Sequence, residues 1–255
     1  ANMANKDLIY LSVSGDGDTA SIGMGQFVHA IRRNLNMVYI VMNNGTYGLT
    51  KGQDSATADY GSINKSGQAN PFPGIDLVSM ALELGATFVG RSFSGDKNQL
   101  VPLIQAAIVH KGFALLDVMS PCVTFNNNVG STKSYDFIRD HIEATSVLDF
   151  IPEKTQIEVA YEEGQTANVT LFDGSIVHLS KLASHWDPTN RTDAIQALQT
   201  AKHEGHLLTG LIYVDTESKD LHETNRTVDR PLNSLGEADL CPGVDKLEAI
   251  NQSHR

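Results

Sequence analysis

SVSGDGDTASIGMG, Ser12 to Gly25, sets two aspartates between glycines where an apolar, strand-like run gives way to helical spacing. The run before it, Leu8 to Ser14 (LIYLSVS), has the composition of a strand. After it, Met24, Phe27, Val28, Ile31 and Leu35 recur at spacings of three and four, which is one face of a helix. Met37 to Met42 (MVYIVM) reads as a second strand. Strand, helix, strand is the parallel crossover unit, and the glycines occupy its first turn.

Three ligand chemistries compete for that turn. Gly15-x-Gly17-x-x-Ala20 satisfies the dinucleotide pattern G-x-G-x-x-A. That pattern expects an acidic residue at the end of the second strand, where Asn43-Asn44 stands instead and no carboxylate follows until Asp54. A calcium loop opening at Asp16-x-Asp18 fails at Ala20 and lacks the glutamate at its twelfth position. The third reading uses both strand ends. Neighbouring parallel strands deliver their C-terminal residues to one crevice, so Asp16 and Asn44 are expected to converge. A carboxylate, an amide oxygen and nearby backbone carbonyls are hard ligands suited to Mg²⁺, which completes its shell with phosphate oxygens and water. A helix opening at about Thr19 would aim N–H groups at the same place.

The alternation continues beyond this unit. Asn43 to Phe72 is polar, glycine-rich and without period; Gly74 to Gly85 and Asp96 to Lys111 read as helices, Thr87 to Arg91 and Phe113 to Met119 as strands. The expected architecture is α/β, a doubly wound, mostly parallel sheet. A structureless stretch as long as 43–72 inside such a domain predicts a functional loop. Past Pro121 the pattern changes: Ser120 to Ser134 is a polar loop, Tyr161 to Leu182 reads as a hairpin with Asp173-Gly174 as a turn signal, Thr192 to His203 as a helix and LLTGLIYVD as a strand. The last forty or so residues read as irregular. The division expected is an α/β domain over 1–150, lacking an N-terminal part because the chain enters a strand almost at once, and a C-terminal extension with a hairpin over 151–255.

Composition narrows the function classes. The 255 residues are 41% hydrophobic, enough for a core, and the net charge of −11 disfavours nucleic acid as a partner. No apolar run approaches the ~20 residues that span a bilayer, so no membrane is expected. Cys122 and Cys241 are the two cysteines, too few for a disulfide framework, which favours a cytoplasmic location. His203 and His206 flank Glu204, but Gly205 spoils a helical metal face, and they read as solvated, as do Glu162-Glu163 and Asp239; His29 reads as packing. Cys241 reads as structural or incidental.

GDG, a helix, an apolar strand and NN form a pattern that resembles the thiamine diphosphate signature, here GDGD at Gly15 to Asp18 and NNGTYGLTKGQ at Asn43 to Gln53. With SPCVTFNN at Ser120 to Asn127, the chain resembles the beta subunit of 2-oxoacid:ferredoxin oxidoreductases. The tail segments DGSIVHLSKL, TGLIYVD and LCPG are most similar to the 2-oxoglutarate branch. The pyruvate branch and a non-redox thiamine-dependent decarboxylase or ligase are the alternatives, and a nucleotide-binding Rossmann module or a silent scaffold subunit are those from other classes.

The resemblance implies the thiamine diphosphate-binding fold. Asp16 and Asn44 would bind Mg²⁺ through their side chains and Thr46 through its backbone carbonyl. Gly15, Gly17, Asp18, Gly48, Leu49 and Thr50 would line the diphosphate and thiazolium end. Lys51 would help to neutralise the diphosphate, a solvated surface lysine being the other reading. Cys122 would be one of four ligands of a [4Fe–4S] cluster, the other three lying upstream of this chain. No catalytic residue is expected in the chain itself, because the glutamate that activates the aminopyrimidine would come from a partner alpha subunit in a heterodimer or dimer of heterodimers. The implied reaction is reversible oxidative decarboxylation of a 2-oxoacid, 2-oxoglutarate first, with coenzyme A taking the acyl group and ferredoxin the electrons.

Overall fold

The computed structural model describes residues 1–64, 66–120, 133, 142–144, 166–170, 176–180, 186–241 and 243–254. The chain opens with β1 (Leu11–Gly15), α1 (Met24–Arg32) and β2 (Met37–Asn43), the crossover unit expected from the spacing. Two short strands, β3 (Thr46–Tyr47) and β4 (Gln53–Asp54), precede α2 (Leu77–Glu83), β5 (Phe88–Phe93), α3 (Lys97–Val109) and β6 (Phe113–Met119). Then come β7 (Ile142–Ala144), the hairpin of β8 (Thr166–Thr170) and β9 (Ile176–Ser180), α4 (Arg191–Glu204) and β10 (Leu207–Val214). Three helices end the described chain: α5 (Leu221–Asn225), α6 (Glu237–Leu240) and α7 (Val244–Ser253).

Six strands form the central sheet in the order β1-β2-β6-β5-β10-β7. The pairs β1/β2, β2/β6, β5/β6 and β7/β10 are parallel, and β10 runs antiparallel to β5. Every residue of β5 and β6 is buried, as expected of strands covered on both faces. One layer of the core joins Phe27 and Ile31 of α1, Leu77 and Leu82 of α2 and Leu198 of α4 to the sheet. The other sets Leu103 of α3 against Val38, Phe88 and Leu116. The fold is therefore α/β and doubly wound, as the alternation predicts.

Four differences from the sequence reading are physical. No regular helix opens at Thr19: Asp18–Ile22 is a single π-helical turn closed by Gly23 N–H to the Asp18 carbonyl at 2.6 Å, and α1 starts only at Met24. Glycine at 23 permits that closure, since a β-carbon there would stand 2.8 Å from the Asp18 oxygen. The stretch 43–72 holds the antiparallel pair β3/β4 and a bridge between Ile63 and Ala69, too short to leave a period. The tail is helical where irregular chain was expected, and α7 exposes Val244, Leu247 and Ile250. The central sheet also takes in β10, so it draws strands from both sides of the division expected at residue 150.

His110 ends α3, its Nε2 lies 2.8 Å from the Thr87 hydroxyl and its ring packs on Phe88 at 5.4 Å. Burial pushes its pKa down to about 4 against the opposing pull of Asp215. The unfolded chain therefore takes up this proton first, near the ordinary value of about 6.5. Stability that is complete above pH 6.5 is expected to fall as the pH drops towards 4, and urea unfolding of native protein and His110→Gln, compared at pH 7 and 5, reads the difference.

Candidate cofactor and metal site

The register of β1 on β2 pairs Gly15 with Met42, so the residues that follow each strand leave the sheet at one edge. Asp16 and Asn44 meet there: the Asn44 backbone N–H donates to Asp16 Oδ1 at 3.2 Å. Asn44 is itself fixed, its side-chain oxygen accepting the Thr46 N–H at 2.9 Å. Thr46 is buried and its hydroxyl donates to the Gln53 carbonyl, which folds β4 back on β3. This return brings Ser55 and Thr57 onto Asp16 Oδ2, Thr57 at 2.7 Å and Ser55 in closer contact still. Asp16 is 1% exposed. Its partners among the described residues are one amide and two hydroxyls, all neutral, so a buried carboxylate stands without a counter-charge. Asn44 adjoins it through its backbone N–H, and a carboxylate and an amide oxygen on neighbouring residues are donors of the kind a hard divalent cation takes.

A second layer lies behind the first. Thr57 Oγ1 also reaches Asn43 Oδ1 at 2.9 Å, Asn43 Nδ2 donates to Asp117 Oδ1 at 3.0 Å, and Arg91 Nε donates to Asp117 Oδ2 at 3.1 Å. The Arg91 guanidinium meets Asp76 on its other side, and Asp76 accepts from Val78 N and Ser79 Oγ at the start of α2. Burial opposes charge on Asp76, but Arg91 and these donors outweigh it and hold its carboxyl below the usual range. Burial likewise opposes charge on Arg91, and its two carboxylates raise its pKa. Burial pushes Asp117 upward. Both side chains that touch it donate, which is the setting of an ionised carboxylate. Ser55, Thr57, Asp76, Arg91 and Asp117 were not singled out from the sequence. Arg91 and Asp117 carried a usable signal, since a charge inside an apolar central strand must be paired.

The remaining predicted residues are distributed unevenly. Gly17 lies beneath the Tyr47 ring, whose hydroxyl donates to the Gly17 carbonyl at 3.2 Å. A β-carbon on Gly17 would come 2.2 Å from Tyr47 Cε1, so glycine is needed here for close packing. Gly15 ends β1 with Asp18 beside it, and the Asp18 side chain is exposed. Gly48, Leu49 and Thr50 form an exposed turn after β3, Leu49 being 98% exposed, and Lys51 in that turn has left-handed backbone at φ 70°. A cleft of about 830 Å³ opens between this turn and the following loop, bordered by Tyr47, Lys51, Ser55, Asn64, Asn70 and Phe72. Lys133 is buried and donates to the Thr57 carbonyl and to Asp59, both at 2.8 Å.

Cys122 and Glu162-Glu163 lie outside the described residues. Cys241 is exposed and free. His29 is exposed on α1, His203 sits in the last turn of α4 and His206 follows the left-handed Gly205 that ends it. Asp239 is exposed and pairs with Arg230 at 3.1 Å. Among the described residues no group of three or more His, Cys, Asp or Glu side chains could hold a metal ion, and no helix is long and apolar enough to cross a membrane.

Residues 1–118 match the family of thiamine pyrophosphate enzymes, C-terminal TPP binding domain. The chain is 44% identical over 135 residues to the 2-oxoacid:ferredoxin oxidoreductase subunit beta of a Sulfolobus species, covering 52% of this chain and 44% of that protein. It is 41% identical over 141 residues to 2-oxoglutarate oxidoreductase subunit KorB of Mycobacterium tuberculosis, covering 54% of this chain and 36% of the relative. The match thus spans half or less of these relatives' lengths. A solved structure, 2-oxoglutarate:ferredoxin oxidoreductase from Magnetococcus marinus with 2-oxoglutarate, coenzyme A and succinyl-CoA bound, superposes with a TM-score of 0.69 at 28% identity, over 98% of this chain and 69% of that one.

Two substitutions test the packing around the site. Gly17→Ala is expected to destabilise the protein by about 1–3 kcal/mol through the Tyr47 ring, and much less in a Tyr47→Ala background, as urea denaturation of the four proteins reads. Arg91→Met leaves two carboxylates without their shared cation and is expected to lower stability by about 3–5 kcal/mol at pH 7.

Proposed function

We propose, from this thiamine pyrophosphate-binding domain and its 2-oxoacid:ferredoxin oxidoreductase relatives, that the chain holds thiamine diphosphate and Mg²⁺ at the shared edge of β1 and β2. It does so as the beta subunit of an enzyme that oxidatively decarboxylates a 2-oxoacid, with 2-oxoglutarate the preferred substrate, coenzyme A the acyl acceptor and ferredoxin the electron acceptor. The observation that carries this reading is the buried, uncompensated Asp16 carboxylate against Asn44.

In this reading Asp16 and Asn44 ligate the cation through side-chain oxygens and Thr46 through its carbonyl. An amide oxygen has two lone pairs, so accepting the Thr46 N–H does not by itself prevent Asn44 from ligating the cation. The turn from Gly15 to Asp18 and the exposed turn from Gly48 to Thr50 line the diphosphate and thiazolium end, and Lys51 offers a cation to the diphosphate from the cleft wall. When bound, thiamine diphosphate supplies the nucleophilic carbon and the electron sink that decarboxylation of a 2-oxoacid needs. The glutamate that activates the pyrimidine comes from an alpha subunit, so the complete site lies at an interface between two chains. Cys122 contributes one thiolate to a [4Fe–4S] cluster, which ordinarily takes four, the others coming from outside these residues.

Calorimetry on the full-length protein tests the cofactor. Thiamine diphosphate is expected to bind only with Mg²⁺, and Asp16→Ala to weaken it by more than about 100-fold, since even outer partners of a metal cost about 10–100-fold. Binding of NAD with no effect of Mg²⁺ overturns the reading. For the redox half, the complex purified without oxygen is expected to contain iron and to reduce ferredoxin with 2-oxoglutarate and coenzyme A; a complex free of iron identifies a non-redox thiamine enzyme.

A further inference from the structure

Asp16 Oδ2 and Asn43 Oδ1 both face the Thr57 hydroxyl, at 2.7 and 2.9 Å. A hydroxyl has one proton, so the two buried acceptors compete for it, although Asp16 Oδ2 also accepts from Ser55. What decides how they share it is the direction of the Asn43 amide. Were that amide reversed, its NH₂ would take up the Thr57 oxygen and its carbonyl would face Asp117. The Asp117 carboxylate, fixed by Arg91, accepts and has no proton to give back, so it holds the Asn43 NH₂ towards itself and the carbonyl towards Thr57.

We propose that Thr57 is a positioning residue for the cation site, its hydroxyl tying back Asp16 Oδ2 together with that of Ser55, in competition with the Asn43 carbonyl that Asp117 turns towards it, so that Oδ1, beside the Asn44 N–H, is left to face the metal. The inference deepens the proposed function and rests on it. Thr57 is 2% exposed, its backbone carbonyl accepts from Lys133 and its hydroxyl lies within the protein. With Ser55 on the same oxygen and the Asn44 N–H on the other, it restricts the carboxylate to one rotation. Outer partners of metal ligands act in this way generally.

The test measures the Mg²⁺ affinity of the full-length protein, by calorimetry in saturating thiamine diphosphate, alongside the melting temperature of metal-free protein. Thr57→Val, equal in shape but without the hydroxyl, is expected to weaken Mg²⁺ about tenfold or more and, because the buried Asn43 oxygen loses its donor, to lower the melting temperature of the metal-free protein, whereas Thr57→Ser is expected to restore both and to stay within about threefold of native in Mg²⁺ affinity. Asp117→Asn frees the Asn43 amide to reverse and leaves the Thr57 proton to Asp16 alone, so this variant is expected to hold Mg²⁺ at least as tightly as native. A Thr57→Val protein that holds Mg²⁺ as tightly as native, or a Thr57→Ser protein as weak as Thr57→Val, overturns the proposal, and an Asp117→Asn protein that holds Mg²⁺ about tenfold more weakly than native overturns the competition from Asn43. Native protein that takes no Mg²⁺ with thiamine diphosphate overturns the functional reading itself, whereas native binding left intact by Thr57→Val overturns this inference alone.

Discussion

The parallel register of β1 on β2 is the constraint from which the site follows. Because Gly15 lies opposite Met42, Asp16 falls level with Asn43, the last residue of β2, and next to Asn44, the first residue beyond it. A shift of one residue would turn every side chain of β1 to the other face and carry Asp16 away from the Asn44 N–H. The register is held from within: β2 is also paired along its whole length with β6, and Val38, Ile40 and Val41 are buried in the core. A burial pattern that serves the sheet thus also fixes the distance between two groups that carry no apolar surface.

Behind this edge the molecule solves a second problem, that of charge inside a sheet. Arg91 and Asp117 stand on adjacent parallel strands, directly paired in register, and both are buried. An ion pair so placed gains little net stability over apolar residues, since desolvation offsets most of the attraction. Its use here is directional. Arg91 is shared with Asp76 at the start of α2, so one guanidinium ties a helix terminus, two sheet strands and, through Asn43, the loop that carries Thr57. Buried polar groups that are fully partnered specify one arrangement where an apolar core would tolerate several.

The sequence was most legible where one period governs the chain. Phe113 to Met119 coincides with β6 end for end, and the face of α1 that buries Phe27 and Ile31 is the one the spacing marks. The meeting of Asp16 with Asn44 was legible for a topological reason, since parallel neighbours end at one edge. Ser55 and Thr57 were not: they reach Asp16 by the return of β4 on β3, a pairing of two residues each, and short polar segments leave no periodic trace. The π-helical turn at Asp18 to Ile22 was hidden too, because only the closeness of Gly23 to the Asp18 carbonyl betrays it. Gly17 was read as lining the diphosphate, and nothing in the sequence marked that the Tyr47 ring also packs against it.

The strand order has a consequence for how the protein is made. β2 neighbours β6, so the inner side of the strand that ends at Asn43 has nothing to pair with until Phe113 to Met119 has been synthesised. Closing so long a loop is slow, and parallel pairing of distant segments delays folding generally. On a ribosome adding about 5–20 residues per second, the turn at Asp16 exists for several seconds before Asp117 arrives to set the Asn43 amide. The side chains around the Asp16 turn therefore take their final orientation only after β6 has been made.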